Sequence, residues 1–239
     1  MSVVAWMDRT FYPGYARNWD DALFRERILA AMPESAEILD VGAGAGIVEM
    51  MNFKGIARHV CGVDLDPRVE QNPYLDEGRQ ADAGNIPYPE NRFDLVFADN
   101  VMEHLEHPEE VFREICRVLK PGGQLLFKTP NRNHYMPLIA RATPHAFHQW
   151  VNRRRGRAEE DTFPTRYRAN SRAQIQRLAQ ATGFRVERIE LVEGRPEYLR
   201  MFPLTYAAGT LYERLVNATA LFSRFRILLI ATLLKAQPG

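Results

Sequence analysis

Ile38–Leu39–Asp40–Val41–Gly42–Ala43–Gly44–Ala45–Gly46 is the stretch on which the fold turns. Glu37 to Val41 is a short, mostly apolar run, the signature of a buried strand. Glycines then alternate at 42, 44 and 46 directly after it. Glycine tolerates positive φ and lets a ligand approach the backbone closely. The spacing predicts a strand, a tight turn and a helix over Val48–Phe53 whose first N–H groups face the turn.

Outward from that turn, short apolar runs alternate with helical patterns, which argues for βαβ units around a parallel sheet. Asp20 to Met32 reads as an amphipathic helix. His59 to Val63 and Phe93 to Phe97 read as strands, and Pro108 to Leu119 as a helix with Val111, Phe112, Ile115, Val118 and Leu119 on one stripe. Lys120–Pro121–Gly122–Gly123 stops that helix before a strand from Gln124 to Lys128. Ser171 is a candidate cap for a helix to Thr182, ended by Gly183 and followed by a strand from Phe184 to Val192. Tyr198 to Phe222 is apolar and helical in pattern, whereas Arg226 to Leu234 fits helix or strand by periodicity alone.

Three acids flank the glycine pattern, two after it and one before. Asp64 ends the second strand, where a carboxylate can accept from both hydroxyls of a ribose. Asp82 follows the next short segment and can accept from an exocyclic amine. Asp40 precedes the turn, placed to meet an ammonium group. Ligands of open α/β sheets bind at these carboxyl ends of strands.

The chain has 239 residues, 46% hydrophobic and 26% charged, with two cysteines. That fits one large domain and excludes a disulfide scaffold and a cysteine-built zinc site. The N-terminus shows no long apolar run, so no leader is expected and a reducing, cytoplasmic setting is. The net charge of +1 hides a split. Residues 1–131 carry 13 Lys/Arg and 22 Asp/Glu, a balance of −9; residues 132–239 carry 18 and 8, a balance of +10.

Residues 36–131 resemble the class I S-adenosylmethionine-dependent methyltransferases, in the broad group that includes the quinone-biosynthesis enzymes. Ile38–Gly46 is similar to the family's first motif and Gly62–Pro67 to its second. Ala81–Leu105 is similar to the third and fourth, and Leu119–Asn131 to the fifth. The resemblance implies a Rossmann-like α/β fold: a seven-stranded, mostly parallel sheet whose last, antiparallel strand is 227–233, beside Phe184–Val192. It implies S-adenosylmethionine as cofactor and S-adenosylhomocysteine as product. Gly42, Ala43 and Gly44 would pass under the methionine portion, with Asp40 near its amino group. Asp64 would hold the ribose, with Leu65 against the adenine. Asp82 and the backbone of Ala83 would meet the adenine edge, and the backbone of Asn100 would lie near the sulfonium. Tyr15, before the first long helix, would close over the cofactor.

On this reading the chain is a single methyltransferase domain. Its parts are cofactor-covering N-terminal helices (1–35), the cofactor-binding core (36–131), a basic lid insertion (132–170) and an apolar helical insertion (198–225) before the last strand. The expected reaction is metal-independent methyl transfer to a small molecule, O-methylation first. A base is needed when the nucleophile starts as a hydroxyl. Among six histidines, His134, just after Thr129–Pro130–Asn131, is the candidate. His59, His104 and His107 read as structural or exposed, and His145 and His148 share a segment with Phe147 and Trp150.

Other readings stay open. A nicotinamide dehydrogenase expects glycine at the sixth position of the turn, where this chain has Ile47. A nucleic-acid methyltransferase would suit the basic half, yet no Asn-Pro-Pro-aromatic tetrapeptide follows the fourth strand. A non-catalytic module that binds the cofactor would keep the same acids. Nine arginines in 132–172 face three acids, and the segment after Tyr198 is apolar but broken by charge at Arg200, Glu213, Arg214 and Arg224. This pairing suggests a lid for an amphiphilic or lipid-linked acceptor with peripheral membrane contact, or a lid packed around a soluble one. Nothing in the pattern specifies an oligomeric state.

Overall fold

A computed structural model describes residues 2–15, 18–142 and 164–237. Two helices, α1 (Val3–Phe11) and α2 (Trp19–Ala31), precede β1 (Glu37–Val41), β2 (His59–Asp64), β3 (Glu77–Gln80) and β4 (Phe93–Asp99). Helix α3 (Pro108–Val118), β5 (Leu119–Pro130), α4 (Tyr135–Ala142), α5 (Arg172–Thr182), β6 (Phe184–Val192), α6 (Pro203–Ala218) and β7 (Leu228–Lys235) complete the described elements. The seven strands form one sheet in the order β3-β2-β1-β4-β5-β7-β6.

β1 to β5 pair in parallel. β7 runs against its neighbours. The Asn131 amide donates to Ile227 O at 2.7 Å at one end, and Lys235 Nζ to Leu119 O at 2.7 Å at the other. On its far side the Ala236 amide donates to Gly183 O at 3.1 Å. The sheet expected from the resemblance, with its antiparallel last strand, is therefore present. β7 is mostly buried, which explains its largely apolar sequence.

The βαβ alternation is thinner than the sequence suggests. No helix forms over Val48–Phe53; a single 3-10 turn, Glu49–Met51, stands there. Arg25, from α2, donates to Met50 O at 2.5 Å and Asn52 O at 2.8 Å and so ties this segment to α2. Its guanidinium lies 4.7 Å from the centre of the fully buried Phe53 ring. Another 3-10 turn, Pro67–Gln71, fills the β2–β3 crossover. Lys120–Gly123, expected as a loop, is absorbed into β5, where the β4 register slips between Phe93 and Leu95.

Other boundaries follow local chemistry. Proline opens α3, with Glu109 and Glu110 in its first turn against the helix dipole. The Ser171 hydroxyl caps α5 by accepting from the Gln174 amide, and Gly183, at φ +84°, ends it.

The described chain falls into two compact units. One holds residues 20–129, 165–190 and 230–239, and with them most of the sheet; the other holds 1–19, 130–164 and 191–229. The first has an aromatic core, with Phe53 edge-on to Phe97 at 5.2 Å and Phe112 edge-on to Phe127 at 5.8 Å. The second packs Met7, Tyr12 and Tyr206 together, with Asp8 bound to Arg200 and to the Tyr206 hydroxyl at 2.6 Å each.

Candidate cofactor site

The three turn glycines have positive φ, +84°, +50° and +73° at 42, 44 and 46. Their surroundings differ. A β-carbon on Gly42 would meet Val101 Cγ2 at 2.2 Å, and one on Gly46 would meet Asn72 Oδ1 at 2.3 Å. One on Gly44 would find only Asp64 Oδ2, at 3.9 Å. Gly42 and Gly46 are thus required by packing, whereas Gly44 borders open space, as a cradle for a ligand chain must.

The turn is held from several sides. Gly42 and Ala43 donate to Val63 O at 2.8 and 3.3 Å. Asp64 Oδ2 accepts from the Gly44 amide at 2.8 Å, and its Oδ1 from the Asp66 amide at 2.8 Å. The Asn72 side chain donates to Ala43 O and Gly44 O at 3.0 and 3.1 Å. Asn72, 7% exposed, has no counterpart in the sequence reading; its signal is the Asn-Pro step after the 3-10 turn.

Leu65, Asp82, Ala83, Asn100 and Asp40 lie at the same carboxyl ends of the strands. Leu65 is 58% exposed, an apolar face turned to solvent. Asp82 is exposed and Oδ1 accepts from the Gly84 amide at 2.6 Å, leaving Oδ2 open; Ala83 follows it, half-buried. Asn100 is held in the left-handed region at φ +54°, and its amide donates to Lys128 O at 2.9 Å. Asp40 is buried. Burial, then the charges of Asp99 and Asp64, hold its carboxyl well above the usual range. A positively charged ligand group would relieve that repulsion. These residues fit a nucleoside carrying an amino-acid chain.

Sequence reasoning missed what lies beneath this edge. Lys128 is fully buried, with its ammonium 3.0 Å from Asp99, 3.3 Å from Asp20 and in contact with Asp21. Beside it Glu103, Thr129 and Asn170 are joined: Thr129 donates to Glu103 at 2.8 Å, and Asn170 to Thr129 at 2.6 Å. Burial raises the Glu103 carboxyl.

Tyr15 and His134 belong to the other unit. Tyr15 sits among Tyr12, Trp19 and Arg195, and Gly194 is glycine because a β-carbon there would meet the Tyr15 hydroxyl at 2.0 Å. Burial pushes its hydroxyl up to about 12. His134 is 1% exposed. Its Nδ1 accepts from the Met136 amide at 3.2 Å, so Nε2 carries the hydrogen, without a hydrogen-bond partner but 3.5 Å from Glu193 Oε2. Burial pushes the imidazole down to about 3 and the Glu193 carboxyl up to about 8. Both are therefore mainly uncharged at pH 7, and proton uptake by the ring requires it to release Met136. His145, His148 and Arg153–Arg155 lie outside the described residues.

His59, Cys61 and Glu77 also cluster, with their donor atoms within 4.8 Å of one another. Arg92 already occupies this corner, 3.3 Å from Cys61 Sγ and 3.4 Å from Glu77, between the rings of Tyr88 and Phe93. Burial pushes the Cys61 thiol up to about 11, so the guanidinium and carboxylate form a filled ion pair beside a protonated sulfur.

The profile of the Methyltransferase domain family matches residues 15–189. A ubiquinone biosynthesis O-methyltransferase from Pseudomonas putida is 36% identical over 134 residues, covering 52% of this chain and 53% of that relative. The chain thus spans about half the length of the curated relatives it matches. Among solved structures, a SAM-dependent methyltransferase from Aquifex aeolicus superposes with a TM-score of 0.53 at 17% identity, covering 89% of each chain. Phosphoethanolamine N-methyltransferase 2 of Haemonchus contortus, in complex with S-adenosyl-L-methionine, superposes with a TM-score of 0.55 at 20% identity, covering 99% of this chain and 60% of that one. The sheet order and the extent of the profile agree: this chain belongs to the Methyltransferase domain family.

Proposed function

We propose that the protein methylates a hydroxyl oxygen of a small-molecule acceptor by in-line transfer, with no metal ion assigned a step. The observation that carries this reading is the open face of Gly44 beside Asp64 and Asp40, in a chain similar to O-methyltransferases over half its length. When bound, the cofactor supplies an electrophilic methyl group on a sulfonium. The chain's part is alignment and the exclusion of water. The Gly42–Gly46 backbone shapes the floor of the site. Asp64 and Asp82 accept from the nucleoside, and Asp40 faces the amino group. His134 is assigned to the acceptor's proton, a role in which its Nδ1 must first release the Met136 amide.

The test is transfer of radiolabelled methyl groups into cell-extract fractions, with lipid and aqueous phases counted separately. Label is expected in a base-stable small-molecule product, with turnover unaffected by a chelator; loss of turnover in chelator would remove the metal-free step. On that acceptor, His134→Ala should lower kcat by about 10²-fold, the lower range for a lost acid–base group, while cofactor affinity stays within about twofold. Unaltered kcat would discard the role of His134.

A second reading, an amphiphilic acceptor met at a membrane surface, is favoured by α6. That helix buries Tyr206, Gly209, Glu213 and Val216 and turns Leu204, Leu211 and Leu215 outward, at 83%, 72% and 53% exposure. Glu213 is the sole acid between Arg200 and Arg226, and it is buried, while Arg214 and Arg224 are exposed. An apolar stripe flanked by cations suits an anionic lipid surface. Among the described residues no helix is long and apolar enough to cross a membrane. Co-sedimentation with phosphatidylglycerol vesicles at low salt is expected, and should be lost in Leu211→Glu. No pelleting at low or physiological salt, with full activity on a water-soluble acceptor, would sink this reading.

A further inference from the structure

Lys128 is a buried cation in contact with more acid than it can neutralise. Its β5 position pairs with Asp99 across the β4–β5 ladder, and its ammonium meets Asp99, Asp20 and Asp21 together. The Phe24 ring, 5.8 Å away, lies over the same ammonium. Glu103 also feels this charge. Burial alone would lower the Lys128 ammonium, but the Asp99, Asp20 and Asp21 charges outweigh it and hold the group above its usual range. Burial pushes Asp99 up to about 6 against the pull of Lys128.

The cluster is wired to the cofactor end of the sheet. Asp99 Oδ1 accepts from the Asn100 side chain at 2.8 Å, and the Asn100 amide donates to Lys128 O. After burial, the charge of Asp99, with that of Asp64, raises the Asp40 carboxyl. One buried cation therefore sets the balance of a strongly acidic edge, and the α2 pair Asp20 and Asp21 sets how much of that cation is left for Asp99.

Methyl donor and product differ by one charge. On transfer the S–CH3 electron pair stays on sulfur, the sulfonium becomes a neutral thioether, and the acceptor releases its proton. A negative potential at the strand ends favours the donor over the product; a stronger positive one favours the reverse. We propose that Lys128, balanced by Asp20 and Asp21, sets the preference of this site for S-adenosylmethionine over S-adenosylhomocysteine, acting as a positioning residue through Asp99. This rests on cofactor binding at that edge of the sheet.

Calorimetry of the full chain with each ligand tests it, the readout being the ratio of the two affinities. Asp21→Asn and Asp20→Asn leave Lys128 less neutralised and should lower the donor-to-product ratio by about 4–17-fold, the size of one charge acting at roughly 10 Å in an effective dielectric of about 20–40. Lys128→Met should raise the ratio by a similar factor, and Lys128→Arg should leave it unchanged. A purely structural cluster would weaken both ligands alike, and a ratio within about twofold of the wild type in the folded Asp variants would overturn the proposal, whether or not Lys128→Met folds. Wild-type protein that binds neither ligand would instead remove the cofactor assignment itself.

Discussion

Gly44→Val should leave a folded protein that no longer binds S-adenosylmethionine. The glycine sits at φ +50°, a region that β-branched residues rarely enter, at about 1–2 kcal/mol for an ordinary side chain. That strain is tolerable, because the nearest atom to a new β-carbon is Asp64 Oδ2 at 3.9 Å. The isopropyl group would instead fill the space the methionine chain requires. Micromolar affinity, about −8 kcal/mol, should fall below detection by calorimetry while the far-UV spectrum and melting profile stay close to wild type. Gly42→Val is the contrast: its β-carbon meets Val101 at 2.2 Å, so it should lose stability as well. Equal affinity in a folded Gly44→Val protein would show that the turn is merely structural.

Asp64→Ala should weaken cofactor binding by about 2–4 kcal/mol, roughly 30- to 1,000-fold. Two hydrogen bonds to a charged acceptor, at about 1.5–3 kcal/mol each, would amount to about 3–6 kcal/mol, and water that solvates the freed ligand hydroxyls recovers part of it. The same carboxylate also ties down the Gly44 and Asp66 amides, so the substitution loosens the turn and removes ligand contacts together. Asp64→Asn keeps one acceptor oxygen and should lose less. Calorimetric affinity unchanged in Asp64→Ala would place the ribose elsewhere.

These residues were legible because their signals are local. A strand, three alternating glycines and an acid at the end of the next strand occupy fewer than thirty consecutive positions, and the Ser171 cap and the Gly183 stop act within a turn of the elements they bound. What stayed hidden depends on partners far along the chain. No local pattern marks Lys128 as a hub, since Asp20 and Asp21 lie more than a hundred positions before it. Where the helix is expected after the glycine turn, the segment is tied down by Arg25, which reaches the Met50 and Asn52 carbonyls from 25 and 27 positions away. His134 and Glu193, too, meet only through folding.

The Asn72 side chain, which holds the Ala43 and Gly44 carbonyls at once, has a bearing on how the cofactor is received. A glycine-rich segment is the most disordered kind of peptide when free, and freezing it around a ligand would subtract heavily from the affinity. Here the freezing belongs to folding. With both carbonyls clasped, the Gly42 and Ala43 amides on Val63 and the Gly44 amide on Asp64, the turn is held in one shape before any ligand arrives. The entering molecule meets a rigid saddle rather than a rope, so the entropy of association is left to the ligand's own torsions and to the water it displaces.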